Sequence, residues 1–340
     1  MPDYVPILAL VLLLAVTFDF INGFHDTANA IATVVATRVL TPRQAILMAA
    51  SLNFAGALSG TAVASTVGKG IIDPSAASQE VILAALVGAI LWNLVTWYFG
   101  IPSSSSHALI GGLVGAALAF KGSGVLNRAG LETIVLTLLT SPLLGMAFGF
   151  LLMVLLLWVV FRQSSHTVNA HFRRLQLVSS AFMSFSHGSN DAQKTMGIIT
   201  MSLFSYGLID SFQVPTWVMV TAAAAMAAGT SVGGWRIIRT MGHKIIKLEP
   251  IHGFAAETAA ATVIQLASHF GLPVSTTHVI SGSIMGVGAS KRLSAVRWGV
   301  AGDMFMAWVL TIPATATVSW LVFEGFTVAR GALALAGLGA

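Results

Sequence analysis

The chain has 340 residues, of which 56% are hydrophobic and only 9% are charged. Soluble domains carry about 25% charged residues, so this composition excludes a soluble globule, and the lack of cysteine excludes disulfides and thiolate chemistry. The net charge of +5 does not indicate a nucleic-acid partner, because Lys and Arg cluster in short segments, at 162–174 and 236–247. Such segments are typical of cytoplasmic loops. We therefore expect a lipid bilayer as the partner, and no nucleic acid.

Apolar segments recur along the whole chain, and many reach the roughly 20 residues that cross a hydrocarbon core of about 30 Å. The first 20 residues lack the basic start and the cleavage motif of a signal peptide, so we interpret them as the first span. The pattern predicts an all-α polytopic membrane protein with roughly 10–12 transmembrane helical segments. We expect residues 1–340 to form a single transmembrane domain.

The first polar interruption is GFHDTANAIAT at residues 23–33, directly behind the first apolar run. It places His25, Asp26 and Asn29 in or beside a span. A charged residue at membrane depth is costly and normally faces a cavity, a partner or a transport path. The alternative is a boundary residue at a helix end in the headgroup region.

The sequence contains an internal repeat. FGIPSSSSHALIGGLVG (99–115) aligns with FGLPVSTTHVISGSIMG (270–286), and FINGFHDTAN (20–29) aligns with FSHGSNDAQK (185–194). Polar interruptions at corresponding points of two repeats are the best sequence indication of a substrate site between them.

This alignment predicts a first repeat at 1–161, a basic inter-repeat loop at 162–174 and a second repeat at 175–340. Because Asp191 repeats Asp26, a binding site is favoured over two boundary residues.

Each Pro–hydroxyl–His motif predicts a break between helices. Gly-x-Pro ends one helix and Ser or Thr caps the next. The helix that follows ends at Lys121 or Lys291 and is short for a full span, which indicates a re-entrant hairpin. Its N-terminus would then point into the membrane interior and attract an anion. Simple capping and hydrogen bonding between helices remain the alternative.

Taken together, these motifs and GFAAET (253–258) resemble the inorganic phosphate transporter (PiT) family, most closely its bacterial PitA-type, low-affinity branch. The resemblance implies two inverted repeats, each with a broken helix and a re-entrant hairpin. It also implies a multi-pass symporter for inorganic phosphate in the bacterial cytoplasmic (inner) membrane, without enzymatic activity or a cofactor. An oligomer such as a homodimer is left open.

The resemblance also assigns roles to residues. Phosphate would be held by Ser104, Ser105, Ser106, Ser275, Thr276 and Thr277, with the amides Asn29 and Asn190. Asp26 and Asp191 would hold a coupling cation, or a divalent metal carried with phosphate, whose identity is left open. Glu257 matches an acid that is important in the family.

Two departures bear on the coupling ion. Sodium-coupled members typically read G-x-N-D-x-x-N in both halves, whereas this chain has His25 in the first motif and Lys194 at the end of the second. An ammonium offers only donors, so Lys194 would compete with sodium for Asp191 while attracting phosphate. We therefore predict proton coupling, with Asp26, His25 and Glu257 as proton carriers and a divalent-metal phosphate as cargo.

Other functions fit parts of the sequence. Sodium-coupled phosphate symport is the main alternative. A sulfate-type oxyanion transporter and an intramembrane serine hydrolase with a Ser–His pair fit less well, the second because each His follows its Ser on the same short segment.

Overall fold

The computed structural model describes residues 4–74 and 77–335, which form α-helices with short connections and no strand. The helices of the first half are α1 (Tyr4–Ala36), α2 (Pro42–Ala57), α3 (Ala62–Gly70), α4 (Gln79–Phe99), α5 (Ser105–Lys121) and α6 (Arg128–Val160). Those of the second half are α7 (Ser165–Ser205), α8 (Thr216–Val232), α9 (Trp235–His243), α10 (Pro250–His269), α11 (Thr276–Lys291) and α12 (Trp298–Leu335). Each half thus repeats the same order of long and short helices.

The prediction of an all-α polytopic membrane protein is confirmed. Within the described residues, 5 helices are long and apolar enough to cross a membrane, or up to 7 if each bent pair is one span. The bent pairs are α2–α3 and α8–α9, with angles of 71° and 72°. The other described helices, α7, α10 and α11, are too short or too polar to count as simple spans.

The two halves pack reciprocally. Helix α6 packs against α11 and α12 against α5, while α1 packs against α8 and α7 against α2. Glycines allow these contacts: a Cβ on Gly282 would lie 2.3 Å from the Pro142 carbonyl oxygen, and a Cβ on its repeat partner Gly111 would lie 2.8 Å from the Ile312 carbonyl oxygen. Backbones therefore approach as closely as small-residue packing between membrane helices permits.

The connection between the halves is shorter than we predicted. Of the expected loop at 162–174, residues from Ser165 onward are the first turns of α7. The Ser164 side chain accepts a hydrogen bond from the Thr167 amide and so caps the helix at this point. Because an N-cap stabilises the helix directly behind it, basic residues placed in the loop by sequence are helical.

The two faces of the bundle differ in charge. On one face the Arg173 side chain donates to the Arg38 carbonyl at 2.7 Å, and Lys247, Lys291 and Arg297 line one cavity of about 270 Å³. The connections of this basic face are 37–41, 161–164, 244–249 and 292–297. Their acidic residue is Glu249, and their basic residues are Arg38, Arg162, Lys244, Lys247, Arg292 and Arg297. The connections of the opposite face, 71–74, 77–78, 122–127 and 206–215, carry Asp73 and Asp210, and Lys69, Lys121 and Arg128 lie at the adjoining helix ends.

Both re-entrant hairpins follow from these faces. Helix α10 leaves the basic face and α11 returns to it, since Lys247 before α10 and Lys291 at the end of α11 share a cavity. At the opposite face the Asn127 amide donates to the Ile71 carbonyl at 2.9 Å, which joins the start of the α4–α5 hairpin to its end. The two hairpins therefore enter the bundle from opposite faces, as inverted repeats require.

Candidate functional site

The tips of the two hairpins have the same local structure. Helix α4 ends at Gly100 with φ 67°, and the turn after α10 passes through Gly271 with φ 68°, a conformation that glycine adopts without a steric penalty. Ser104 and Ser275 then cap α5 and α11 by accepting from the amides three residues later, at 3.2 and 3.3 Å. Both N-termini thus begin in the interior, as the motifs predicted.

The two tips meet each other through aromatic rings. His107 and His278 are repeat partners, and their ring centroids lie 4.4 Å apart. Trp308 of α12 stacks on His278 at 4.0 Å and donates its indole N–H to the Pro102 carbonyl at 3.0 Å. The histidines therefore hold the N-termini of α5 and α11 side by side, so that the positive ends of two helix dipoles meet.

The first Asp motif contacts both tips. Asp26 accepts a hydrogen bond of 2.5 Å from the Ser105 hydroxyl of α5, and its other oxygen lies 2.6 Å from His25 Nδ1. One turn later, the Asn29 amide donates to Thr277 Oγ1 at 2.9 Å on α11. Helix α1 therefore joins the two hairpins through the side chains singled out in the sequence.

The second Asp motif does the same from α7. Asp191 forms an ion pair with Lys194 and accepts from Thr276 Oγ1 at 2.8 Å. The Lys194 ammonium also donates to Ser106 Oγ at 2.5 Å and to the Val274 carbonyl at 2.9 Å. Every proton of the ammonium is thereby directed at an acceptor.

A compact set of buried acceptors lies between the two motifs. One side-chain ligand atom from each of Asp26, His187 and Asp191 lies within 4.8 Å of the others, and all three residues are buried. Carboxylate oxygens and a neutral imidazole nitrogen suit several divalent cations. We call these three residues the cation pocket.

Hydrogen bonds behind His187 settle which of its nitrogens faces the pocket. The Thr230 hydroxyl donates to the Met226 carbonyl at 2.9 Å and accepts from Asn53 Nδ2 at 2.9 Å. Asn53 therefore presents its oxygen to His187 Nδ1, 3.0 Å away, so that Nδ1 carries the proton. Nε2 then lies 3.3 Å from Asp191 Oδ2 and is the ring nitrogen available to a metal ion, in the way that outer hydrogen bonds orient metal-binding histidines.

Glu257 lies outside this cluster. It accepts a hydrogen bond of 2.5 Å from Thr33 and one of 3.0 Å from Gln176, and the Ser179 hydroxyl donates to its second oxygen. Thr33 follows Asp26 on α1 by two helical turns, or about 10 Å along the axis. Glu257 is therefore a separate buried carboxylate, nearer the basic face.

Asn190 also points elsewhere. Its amide donates to Ser268 Oγ at 2.9 Å and to the Leu272 carbonyl at 3.4 Å, both at the end of the α10 arm of its hairpin. Ser104 and Ser275 spend their acceptor oxygens as caps. Direct contact of these three residues with phosphate stays a prediction.

The sequence analysis did not select three residues that the structure brings to the site. Asn22 Oδ1 lies 2.6 Å from the Ser105 hydroxyl, Thr96 lies 3.0 Å from His25 Nε2, and His187 belongs to the cation pocket. Asn22 precedes Asp26 by four residues and His187 precedes Asp191 by four, so each pair shares a helix face. That spacing was the available signal, whereas nothing local marks Thr96.

Comparison with known proteins decides the family. The sequence profile of the phosphate transporter family matches residues 22–319. The chain belongs to the phosphate transporter family. It is 53% identical over 320 residues to a probable low-affinity inorganic phosphate transporter of Rhizobium meliloti, covering 94% of this chain and 96% of the relative. A relative with the same description in Bacillus subtilis is 50% identical over 317 residues, covering 92% and 95%.

The fold of this family member is also similar to a solved structure described as the sodium-dependent phosphate transporter. The two share 27% sequence identity and a TM-score of 0.84, over 95% of this chain and 99% of the other. The resemblance noted in the sequence is thereby confirmed, as are the location in a bacterial cell membrane and the assignment as a transporter rather than an enzyme.

Proposed function

We propose that this member of the phosphate transporter family is a proton-driven symporter that imports inorganic phosphate together with a divalent metal. The position of Lys194 is the observation that carries the choice of coupling ion. Its ammonium lies against Asp191, Ser106 and the Val274 carbonyl, which are the oxygen atoms that a sodium ion at Asp191 would need. A resident cation makes a transported sodium ion redundant there.

The same surroundings favour phosphate as the anion. One buried cluster contains two helix N-termini, the Lys194 ammonium and the hydroxyls of Ser105, Ser106, Thr276 and Thr277. Free backbone N–H groups at helix starts bind phosphate readily. Phosphate would replace contacts that these donors now make with one another.

Charge balance requires a further cation. Asp26 and Asp191 are 3% and 1% exposed. The negative charge of phosphate would add to that of these two buried carboxylates, and one ammonium alone would have to offset the total. Isolated charges in a low-dielectric interior are costly by many kcal/mol. A divalent metal bound in the cation pocket and carried with phosphate would bring the total charge close to neutral.

His25 supports a role for protons. Thr96 spends its only proton on the Trp92 carbonyl at 3.0 Å, so its oxygen is an acceptor for His25 Nε2. The other ring nitrogen faces Asp26 at 2.6 Å. Because both nitrogens face acceptors, a ring protonated at both positions satisfies every contact. The His25–Asp26 pair can therefore carry one proton, and Glu257 offers a second carboxylate nearer the basic face.

Orientation follows from the charge of the two faces. Cytoplasmic loops carry an excess of Lys and Arg, which supports a cytoplasmic location of the basic face. The central side chains are buried from both faces, so the structure has the form of an occluded carrier. Transport then requires the hairpins to part toward one face at a time, as inverted repeats allow.

The test is labelled-phosphate uptake by the purified protein in liposomes, with the pH gradient, the sodium gradient and the divalent metal varied separately. We expect uptake to follow an imposed pH gradient without sodium, to rise with divalent metal and to resist excess sulfate. Uptake that needs sodium at every pH would instead establish sodium coupling, in line with the solved neighbour. Inhibition of phosphate uptake by sulfate at equal concentration would show that phosphate is not the preferred substrate.

A further inference from the structure

Helix α1 carries a continuous polar stripe through the bundle. Asp19, Asn22, Asp26, Asn29 and Thr33 are all buried. They follow one another at intervals of three and four residues, so they lie on one face of the helix. The stripe places Asp19 two turns from Asp26 toward the face opposite the basic face, and Thr33 with its partner Glu257 two turns toward the basic face.

Asp19 is the member of this stripe whose carboxylate has only weak contacts with its neighbours. Its side chain is 0% exposed, and neither of its carboxylate oxygens accepts a hydrogen bond of good geometry. The buried Thr195 hydroxyl of α7 and the Asn22 side chain lie near the carboxylate, but the Thr195 hydroxyl also makes no hydrogen bond of good geometry. Buried polar groups are normally hydrogen-bonded, so three oxygen atoms with only weak contacts in one place indicate a missing ligand.

We propose that Asp19 and Thr195 form a second coupling-cation site, which takes a monovalent cation on its way from the extracellular face to the central site. This inference rests on the proposed symport. A cation is the ligand that carboxylate and hydroxyl oxygens can hold while the carboxylate is withdrawn from water. Both a proton and an alkali ion have this chemistry.

The surroundings connect this site to the central one. The ionisable groups that act on Asp19 are Asp191 and Lys194, both on α7. An ionised Asp19 competes with Asp191 for the charge of Lys194. A cation at Asp19 removes that competition and leaves Lys194 paired with Asp191 and Ser106, as the structure shows. A cation bound at Asp19 therefore affects Lys194, the residue that contacts the α4–α5 hairpin through Ser106.

The site belongs to one half of the molecule only. At the repeat offset of 165 residues, the counterpart of Asp19 is Ser184. The Ser184 hydroxyl is satisfied, because it donates to the Ser180 carbonyl at 2.8 Å. On the side of the central site toward the basic face, Glu257 takes the place of such a pair. Each side of the central site therefore has one carboxylate of its own. Such an arrangement gives the cation a stepwise route along α1.

The experiment separates coupling from phosphate handling in one preparation. Asp19→Asn, Thr195→Val and the exposed control Asp303→Asn are purified, checked for thermal stability and reconstituted beside the wild type. Phosphate exchange without any gradient reports substrate binding and movement. Accumulation driven by a pH gradient alone, and by a sodium gradient alone, reports the coupling cation and tells a proton from an alkali ion.

We expect Asp19→Asn to lower gradient-driven accumulation by about tenfold, in the range of ordinary coupling energies, and to lower exchange much less. Thr195→Val should weaken the same cation dependence, and Asp303→Asn should match the wild type. Equal accumulation by Asp19→Asn and wild type in both gradients would overturn the site. Equal loss of exchange and accumulation would overturn it too, since Asp19 would then serve phosphate or folding. Wild type that does not exchange phosphate would instead contradict the proposed function.

Discussion

Lys194 on α7 donates a hydrogen bond of 2.5 Å to Ser106 at the start of α5, while it is paired with Asp191 on its own helix. One ammonium thus joins the carboxylate of the second half to the hairpin of the first. The contact explains how a single side chain can affect the coupling ion and the anion at once, because it lies between their candidate ligands.

Replacing Lys194 by asparagine should therefore change the coupling ion. The amide oxygen can coordinate a cation, and the loss of the ammonium frees Asp191 and Ser106 for it. We expect pH-driven uptake to fall and sodium to begin to stimulate uptake, measured with labelled phosphate in liposomes. Lys121→Asn, at an exposed helix end, is the control. Unchanged pH-driven uptake in Lys194→Asn would mean that the ammonium plays no part in coupling.

Neutralising either central carboxylate should abolish coupled uptake. Asp26→Asn and Asp191→Asn each remove one charge that a cation must balance, and Asp191→Asn also leaves the buried Lys194 ammonium without its counter-ion. Loss of a buried partner costs about 3–5 kcal/mol, so Asp191→Asn should lower thermal stability more than Asp26→Asn. Asp210→Asn, at an exposed position, should transport normally. Full transport by both central variants would move the site elsewhere.

The serines of the α5 tip should separate capping from binding. Ser104→Ala removes the helix cap and should lower the free energy of unfolding by about 1 kcal/mol. Ser106→Ala removes a hydroxyl that contacts Lys194 and should instead weaken phosphate binding, by about 1–3 kcal/mol if the anion is buried. Thermal unfolding and phosphate titration of the same samples distinguish the two. If both variants lose only stability, the hydroxyls serve the helix alone.

His187 should matter for metal rather than for phosphate alone. Its Nε2 lies beside Asp191 because Asn53 holds Nδ1. His187→Gln should therefore raise the concentration of a divalent metal such as Mn²⁺ that is needed to stimulate phosphate uptake. We expect an increase of about 10- to 100-fold, the usual loss of affinity when a metal site is weakened. Exposed His166→Gln is the matched control. The same metal dependence in His187→Gln and wild type would exclude the ring as a ligand.

The interface between α11 and α6 should not tolerate a side chain at Gly282. A Cβ there would lie 2.3 Å from the Pro142 carbonyl oxygen, so Gly282→Ala must push two backbones apart. Overpacking of this kind costs about 1–3 kcal/mol, which should appear as a lower melting temperature in detergent. Gly299→Ala is the control, since nothing lies within 4 Å of its Cβ position. Equal melting temperatures would show that the interface can relax.

Much of the architecture was determined by the amino-acid sequence itself. Apolar run length and low charge specify membrane helices, because only a helix satisfies its backbone in lipid. The repeated Gly-x-Pro and Ser or Thr motifs specify hairpin tips, since they act through local backbone conformation and capping. Asp26 and Asp191 could be selected for the same reason: a buried charge is costly wherever it lies, and the repeat marked both.

Only the tertiary structure decided which side chains meet. Lys194 contacts Ser106, Asn29 contacts Thr277, and Glu257 lies two turns away from the centre with Thr33. These pairs are distant along the chain, so no local pattern encodes them. The inverted packing of the halves brings α1 and α7 together between the two tips, and that packing depends on backbone approach at glycines across the whole bundle. Only the packed structure shows that the carboxylate oxygens of Asp19 lack hydrogen bonds of good geometry, because the partners of a side chain depend on the whole fold.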